Sequence, residues 1–144
     1  KNTIDYLNMS KFEFGESCHT FGRNLDYNLN KFEPEFIQGS IGITLDKFCI
    51  QKQFDVDYIK IDVDGNELYV FKSAKNTLKK KIPIIMELAP YLYKENNYSL
   101  DDLVNLLKSF KYSFFEMNSL AKIDDIYDYS LNIPHGSSKN IIIK

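Results

Sequence analysis

The run Tyr58-Ile-Lys-Ile-Asp-Val-Asp-Gly-Asn-Glu67 constrains this chain more than any other. A short apolar strand that ends in carboxylates and a glycine, with a helix starting at once, is how open α/β sheets build ligand sites. The C-terminal strand ends line a crevice, and helix N-termini open onto it. Period-two geometry puts Tyr58, Lys60, Asp62 and Asp64 on one side of the strand and Ile59, Ile61 and Val63 on the other. A lysine inside a buried strand is costly unless it is paired. The next apolar run carries one ion, Glu87, so Lys60 and Glu87 are expected to meet across adjacent strands.

The pattern around this run repeats strand and helix. Upstream, Ser40-Ile-Gly-Ile-Thr44 reads as a strand, and Leu45 to Gln51 as a short helix with Leu45, Phe48 and Cys49 on one side. Downstream, Leu68, Phe71, Ala74 and Leu78 fall three or four apart, which predicts one helix over Asn66–Lys80. Pro83 stops it, and Ile84–Leu88 is a second buried strand ended by Pro90. Ser99 caps the next helix, with Asp102 at the capping-box position and Leu100, Leu103, Val104, Leu107 and Phe110 as its stripe. Lys111–Glu116 is a strand, Asp124–Tyr129 an acidic loop, and the turn Pro134–Ser138 leads into a closing strand, Asn140–Lys144. Such alternation predicts an α/β fold with a mostly parallel sheet. The final pair, joined without a helix, is expected to be antiparallel.

The first forty residues are less regular. Ile4–Leu7 and Phe12–Phe14 suggest extended pieces, separated by turns at Gly15, Gly22 and Asn24–Asn30. The recurring aromatics there (Tyr6, Phe12, Phe14, Phe21, Tyr27, Phe32, Phe36) read as closing a small core. The expected organisation is a single domain over 1–144, with an irregular, insertion-like segment at 1–38 and a β/α portion at 39–144.

Length and charge narrow the function classes. A chain of 144 residues with a net charge of -2 gives no reason to propose nucleic acid or an anionic membrane surface as partner. The Lys79–Lys81 run suits the last turn of a helix. No apolar run approaches the ~20 residues of a membrane span, and the first residues lack the apolar core of a signal peptide. Cys18 and Cys49 belong to no CxxC or Cys/His zinc spacing; a disulfide is open but not implied. A reducing cytoplasm is the default location, and no metal site is expected.

Asp62-Val-Asp64-Gly65 taken alone fits several chemistries. Haloacid-dehalogenase-type phosphatases use Asp-x-Asp-Gly-Thr, but here Asn66 replaces the Thr, and Asp124-Asp125 would have to serve as the later metal-binding acids. Metal-dependent glycosyltransferases use Asp-x-Asp to hold a divalent cation and a sugar diphosphate. An EF-hand is excluded by spacing. A non-catalytic interaction module is the remaining alternative.

Read together, Ile59-Lys-Ile-Asp-Val-Asp-Gly-Asn-Glu67, Val70-Phe-Lys-Ser-Ala74 and Pro83-Ile-Ile-Met-Glu87 resemble the C-terminal half of FkbM-type methyltransferases. The Thr44-Leu-Asp46 step and the Ile133-Pro-His-Gly-Ser-Ser-Lys-Asn140 turn add to the likeness, which covers roughly residues 39 to 144. Asp64 stands where the family more commonly has Glu, and Ser73 where it has Gly. The resemblance implies a Rossmann-like class I methyltransferase sheet that moves a methyl group from S-adenosylmethionine, mostly to a hydroxyl oxygen. It implies a small-molecule hydroxyl acceptor, with a glycan as a family-level example. By this likeness Asp62, Asp64 and His135 are the candidate catalytic residues, and Glu67, Glu87 and Lys60 the candidate substrate-binding residues. His19 has less support.

The family holds its cofactor with a glycine-rich loop after the first strand, where the backbone must approach the ligand closely. Gly39-Ser-Ile-Gly42 comes nearest here but leads into a strand, so the cofactor-binding residues stay unassigned and the N-terminal half of the sheet is expected to be missing. The strand Asp57–Val63 is then expected to have a bare apolar edge, which invites self-association.

Overall fold

A computed structural model of the chain describes residues 3–11, 13, 19–26 and 29–144, and divides it into two units, Lys1–Thr44 and Leu45–Lys144. In the first unit, β1 (Thr3–Met9), β2 (His19–Phe21) and β3 (Phe36–Gly42) form an antiparallel sheet in the order β2-β1-β3. Ile4 pairs with Ile41 and Asn8 with Ile37, so these side chains share a face with Tyr6. Among the described residues, those buried on that sheet are polar. Asn8 and Thr20 both donate to the carbonyl of Arg23, at 3.1 and 2.5 Å, and so close the turn after β2. Tyr6, Phe21 and Phe36, expected to close a small core, are instead exposed. The expectations resting on Phe12, Phe14, Gly15, Cys18 and Tyr27 lie outside the described residues.

The second unit runs α1 (Leu45–Lys52), β4 (Ile59–Ile61), α2 (Glu67–Lys72), α3 (Lys75–Lys79), β5 (Ile84–Leu88), α4 (Pro90–Tyr93), α5 (Leu100–Ser109), β6 (Phe114–Glu116), β7 (Lys122–Ile123), α6 (Ile126–Leu131) and β8 (Lys139–Ile143). Its five strands lie in the order β4-β5-β8-β6-β7. The expectation of a mostly parallel sheet is corrected here. β4 and β5 are parallel, but β8 runs antiparallel to both β5 and β6, and β7 antiparallel to β6. The alternation did set direction: β4, β5 and β6 all point the same way. The closing strand then inserts between β5 and β6 from the opposite direction, so parallel-running strands are not hydrogen-bonded neighbours there. The antiparallel ending expected for the last pair is present. β4 is an edge strand of this sheet, as is β7.

One face of the sheet carries the core. Ile61, Ile84, Met86, Leu88, Phe114, Ile141 and Ile143 are buried against Leu68 and Phe71 of α2, Leu78 of α3, and Leu103, Val104 and Leu107 of α5. The alternate residues Lys60, Ile85, Glu87, Phe115 and Ile142 are exposed or half-buried. Ser99 and Asp102 form the expected capping box, with Asp102 N–H donating to Ser99 Oγ at 3.2 Å and Ser99 N–H to Asp102 Oδ2 at 2.8 Å.

The single helix expected over Asn66–Lys80 is two, α2 and α3, broken at Ser73-Ala74. The Ser73 hydroxyl donates to the Val70 carbonyl at 2.8 Å and accepts the Leu45 N–H at 3.2 Å. Asp46 then caps α3 from outside: its carboxylate accepts the N–H groups of Asn76 (2.8 Å) and Thr77 (2.9 Å) and the Thr77 hydroxyl (2.8 Å). Burial would raise the Asp46 carboxyl, but these bonds outweigh it and hold it below the usual range. The acidic loop expected at Asp124–Tyr129 contains most of α6, which Asp125 caps by accepting from Tyr127 and Asp128. Among the described residues no helix is long and apolar enough to cross a membrane.

Candidate functional site

The turn after β4 is locally strained. Asp64 and Gly65 adopt φ of 49° and 82°, a left-handed pair that swings the chain from strand to helix. A Cβ on Gly65 would lie 2.5 Å from Asn96 Nδ2 and 2.6 Å from Leu92 Cβ, so both the conformation and the space demand glycine. Asn96, itself buried, donates from Nδ2 to the carbonyls of Asp64 (3.3 Å) and Leu92 (2.9 Å).

Glu67 braces this turn from below. It is fully buried; Oε1 accepts the N–H groups of Val63 (3.4 Å) and Gly65 (3.3 Å), and Oε2 accepts the Tyr98 hydroxyl at 3.2 Å. Tyr98 stacks on Tyr93 with ring centroids 4.9 Å apart. It meets Tyr69 edge-on, and the Tyr69 hydroxyl donates to the Asn96 carbonyl. Burial pushes the Glu67 carboxyl up, and the hydrogen bonds it accepts offset only part of that. The likeness placed Glu67 among substrate contacts; the structure places it inside the core, its oxygens already engaged in holding the acidic tip in shape.

Asp62 and Glu87 face outward at the strand tips. Ile61 is in register with Met86, so one step further Asp62 lies beside Glu87, and the two carboxyl groups act on one another. Lys60 makes its ion pair with Asp62 Oδ2, at 2.8 Å, and not with Glu87 as expected from sequence. The reason is geometric. β4 is an outer strand, so Lys60 is half exposed and not buried, and its cross-strand neighbour is Ile85. Asp62, two residues along on the same side, is the carboxylate within reach.

The electrostatics of the two acids diverge. The hydrogen-bonded Lys60 ammonium holds the Asp62 carboxyl below the usual carboxylate range, outweighing its partial burial. Burial pushes Glu87 up, against a hydrogen bond from the Ser138 hydroxyl to Oε1, and the neighbouring Asp62 and Asp64 carboxylates add to the rise. Tyr91, at the start of α4, is raised by burial and by the charges of Glu87 and Asp64, which places it at the same rim. His135 joins through Tyr91, with ring centroids 5.7 Å apart.

The structure therefore gathers Lys60, Asp62, Asp64, Glu87 and His135 at one end of the sheet and withdraws Glu67 beneath them. Sequence reasoning missed Tyr91 and Ser138. Tyr91 follows the strand-ending Pro90, and Ser138 closes the Pro134–Ser138 turn, so both stood beside positions already marked as the end or start of a strand.

Among the described residues no three His, Cys, Asp or Glu side chains are placed to hold a metal ion. Asp125, one of the two acids a phosphatase would need, is occupied as a helix cap. A nucleoside-bearing donor needs a glycine turn whose backbone is open to the ligand. Gly39 and Gly42 lie in the antiparallel strand β3, and the space beside Gly65 is filled by Leu92 and Asn96. These three glycines therefore do not supply such a turn.

Compared with known proteins, the chain is matched over residues 17–114 by the family model described as the methyltransferase FkbM domain. No curated protein and no solved structure gives a significant match.

Proposed function

This chain belongs to the FkbM methyltransferase family, and from that premise we propose that it serves methyl transfer from S-adenosylmethionine to a hydroxyl oxygen of a small acceptor, a sugar or similar polyol. The observation that carries the acceptor-side reading is Asp62. It is half exposed at the tip of β4 and kept ionised by Lys60 at 2.8 Å. Making an ether from an alcohol releases a proton, and the group that receives it must be both unprotonated and reachable. Asp62 meets both conditions. Lys60 is paired with it, and Asp64 and His135 stand at the same end of the sheet, with donors and acceptors suited to a polyhydroxylated molecule. Glu67 keeps this tip in place without touching the acceptor.

The test is transfer of labelled methyl from S-adenosylmethionine to a panel of sugars and polyols by the full chain. Label recovered as a base-stable ether, and lost in Asp62→Asn, supports the reading. Label on nitrogen or carbon, or on no hydroxyl in the panel, contradicts it, as does magnesium-dependent phosphate release that requires Asp62.

A further inference from the structure

We infer that Glu87 is the positioning residue of this site: it shares one proton with Asp62 and carries that proton itself, so that Asp62 is left as the ionised member of the pair. The inference rests on the reading that the acceptor meets these tips.

The geometry comes first. The parallel register of β4 and β5 sets Asp62 beside Glu87, on the face of the sheet opposite the core, where the two carboxyl groups act on one another. Two carboxylates set side by side repel while both are ionised; a proton held between them removes that repulsion, and the pair then titrates as a unit. The neighbours decide where the proton resides. The cation, Lys60, is bonded to Asp62. Glu87 accepts from a neutral hydroxyl, that of Ser138. The other groups at this rim are Asp64 in the turn after β4, Tyr91 on α4, His135 in the turn before β8, and Asn140, which is in register with Glu87 on β8. Asp64 adds negative charge beside Glu87 and so favours its protonated form. The opposite displacements of the two carboxyls, Asp62 down and Glu87 up, agree with this placement.

The arrangement has a chemical consequence. When the acceptor O–H bond breaks, its proton moves to an Asp62 oxygen and the electron pair stays on the acceptor oxygen. The pair then holds two protons, one of which is released to water. Glu87, already protonated and hydrogen-bonded to Asp62, orients the receiving carboxylate without itself meeting the acceptor.

The experiment is a carbon-detected NMR titration of side-chain carboxyls in the full chain, comparing wild type with Glu87→Gln, Glu87→Ala and Asp62→Asn, and using amide spectra to confirm that each variant is folded. The expected wild-type midpoints lie below the ordinary value for Asp62 and above it for Glu87. Asp62→Asn brings Glu87 down. Glu87→Gln, whose amide donates as a protonated carboxyl does, leaves Asp62 low, while Glu87→Ala lets it rise. Independent, ordinary titrations, or a Glu87 midpoint unmoved by Asp62→Asn, overturn the inference. Because the titration needs no methyl donor, its failure is distinct from failure of the labelled-methyl assay.

Discussion

The two faces of the five-stranded sheet follow different rules although the same strands build both. On β5, Ile84, Met86 and Leu88 are fully buried, while Ile85 and Glu87 between them are half-buried. On β4, Ile61 is buried and Lys60 is exposed. One face excludes water and holds the fold. The other keeps ions in partial contact with water, where their protonation can be set by a few neighbours. Because the side-chain period is two, stability and chemistry fall on alternate residues of one strand and should be separable by mutation.

The largest separation is expected in the core. Met86→Ala removes a fully buried side chain that the surrounding helices cannot collapse upon, and should cost about 2–5 kcal/mol in urea denaturation. Ile85→Ala, one residue away on the other face, should cost less than half as much; equal losses would break the comparison.

Glu67 sharpens it, as the ion on the wrong side. Glu67→Ala leaves the Val63 and Gly65 N–H groups without their acceptor and should cost about 1–3 kcal/mol. Its pH dependence has a definite sign. A carboxyl raised in the folded state contributes stability that is fully present below its unfolded value and lost as pH rises through its folded value. The stability of wild type relative to Glu67→Gln should therefore fall as pH is raised through that window.

Asp46→Ala should cost about 1 kcal/mol by uncapping α3. Here the sign reverses. The Asp46 carboxyl is lowered, so its contribution is present above the unfolded value of 3.8 and disappears as pH falls through the lower folded one. The smallest effect is expected from Lys60→Ala, at roughly 0–1 kcal/mol for a half-exposed pair. That change should nonetheless move the Asp62 carboxyl upward by NMR, separating charge-setting from stability.

What could be read from sequence was what is local. β5 was legible from end to end because Pro83 and Pro90 bound an apolar run, and the Ser99–Asp102 box because its spacing is fixed by one helical turn. The break at Ser73 was hidden. The apolar stripe from Leu68 to Leu78 continues through it, and one of its causes is a carboxylate 30 residues away from the N–H it caps. The insertion of β8 between β5 and β6 was equally invisible, since period reports which face a residue takes and not which strand lies next to it.

The site divides the same way. Asp62, Asp64 and Glu87 were legible as acids ending apolar strands. Glu67 was read through the family likeness as one more acid of that tip; its burial depends on Tyr98, 31 residues on. The Lys60–Glu87 pairing failed since it assumed a buried strand where the chain has an outer one, and Asp62 lay closer.

The central claim is that Asp62, at the tip of β4, receives the proton of the methyl acceptor. The measurement that tests it most directly is the pH dependence of methyl-ether formation in wild type and Asp62→Asn. The account predicts a rate in wild type that falls on acidification as one carboxylate is protonated, and a loss of roughly 10²-fold or more, with that acidic limb gone, in the variant. A variant rate within about twofold of wild type, with the acidic limb unchanged, would contradict it.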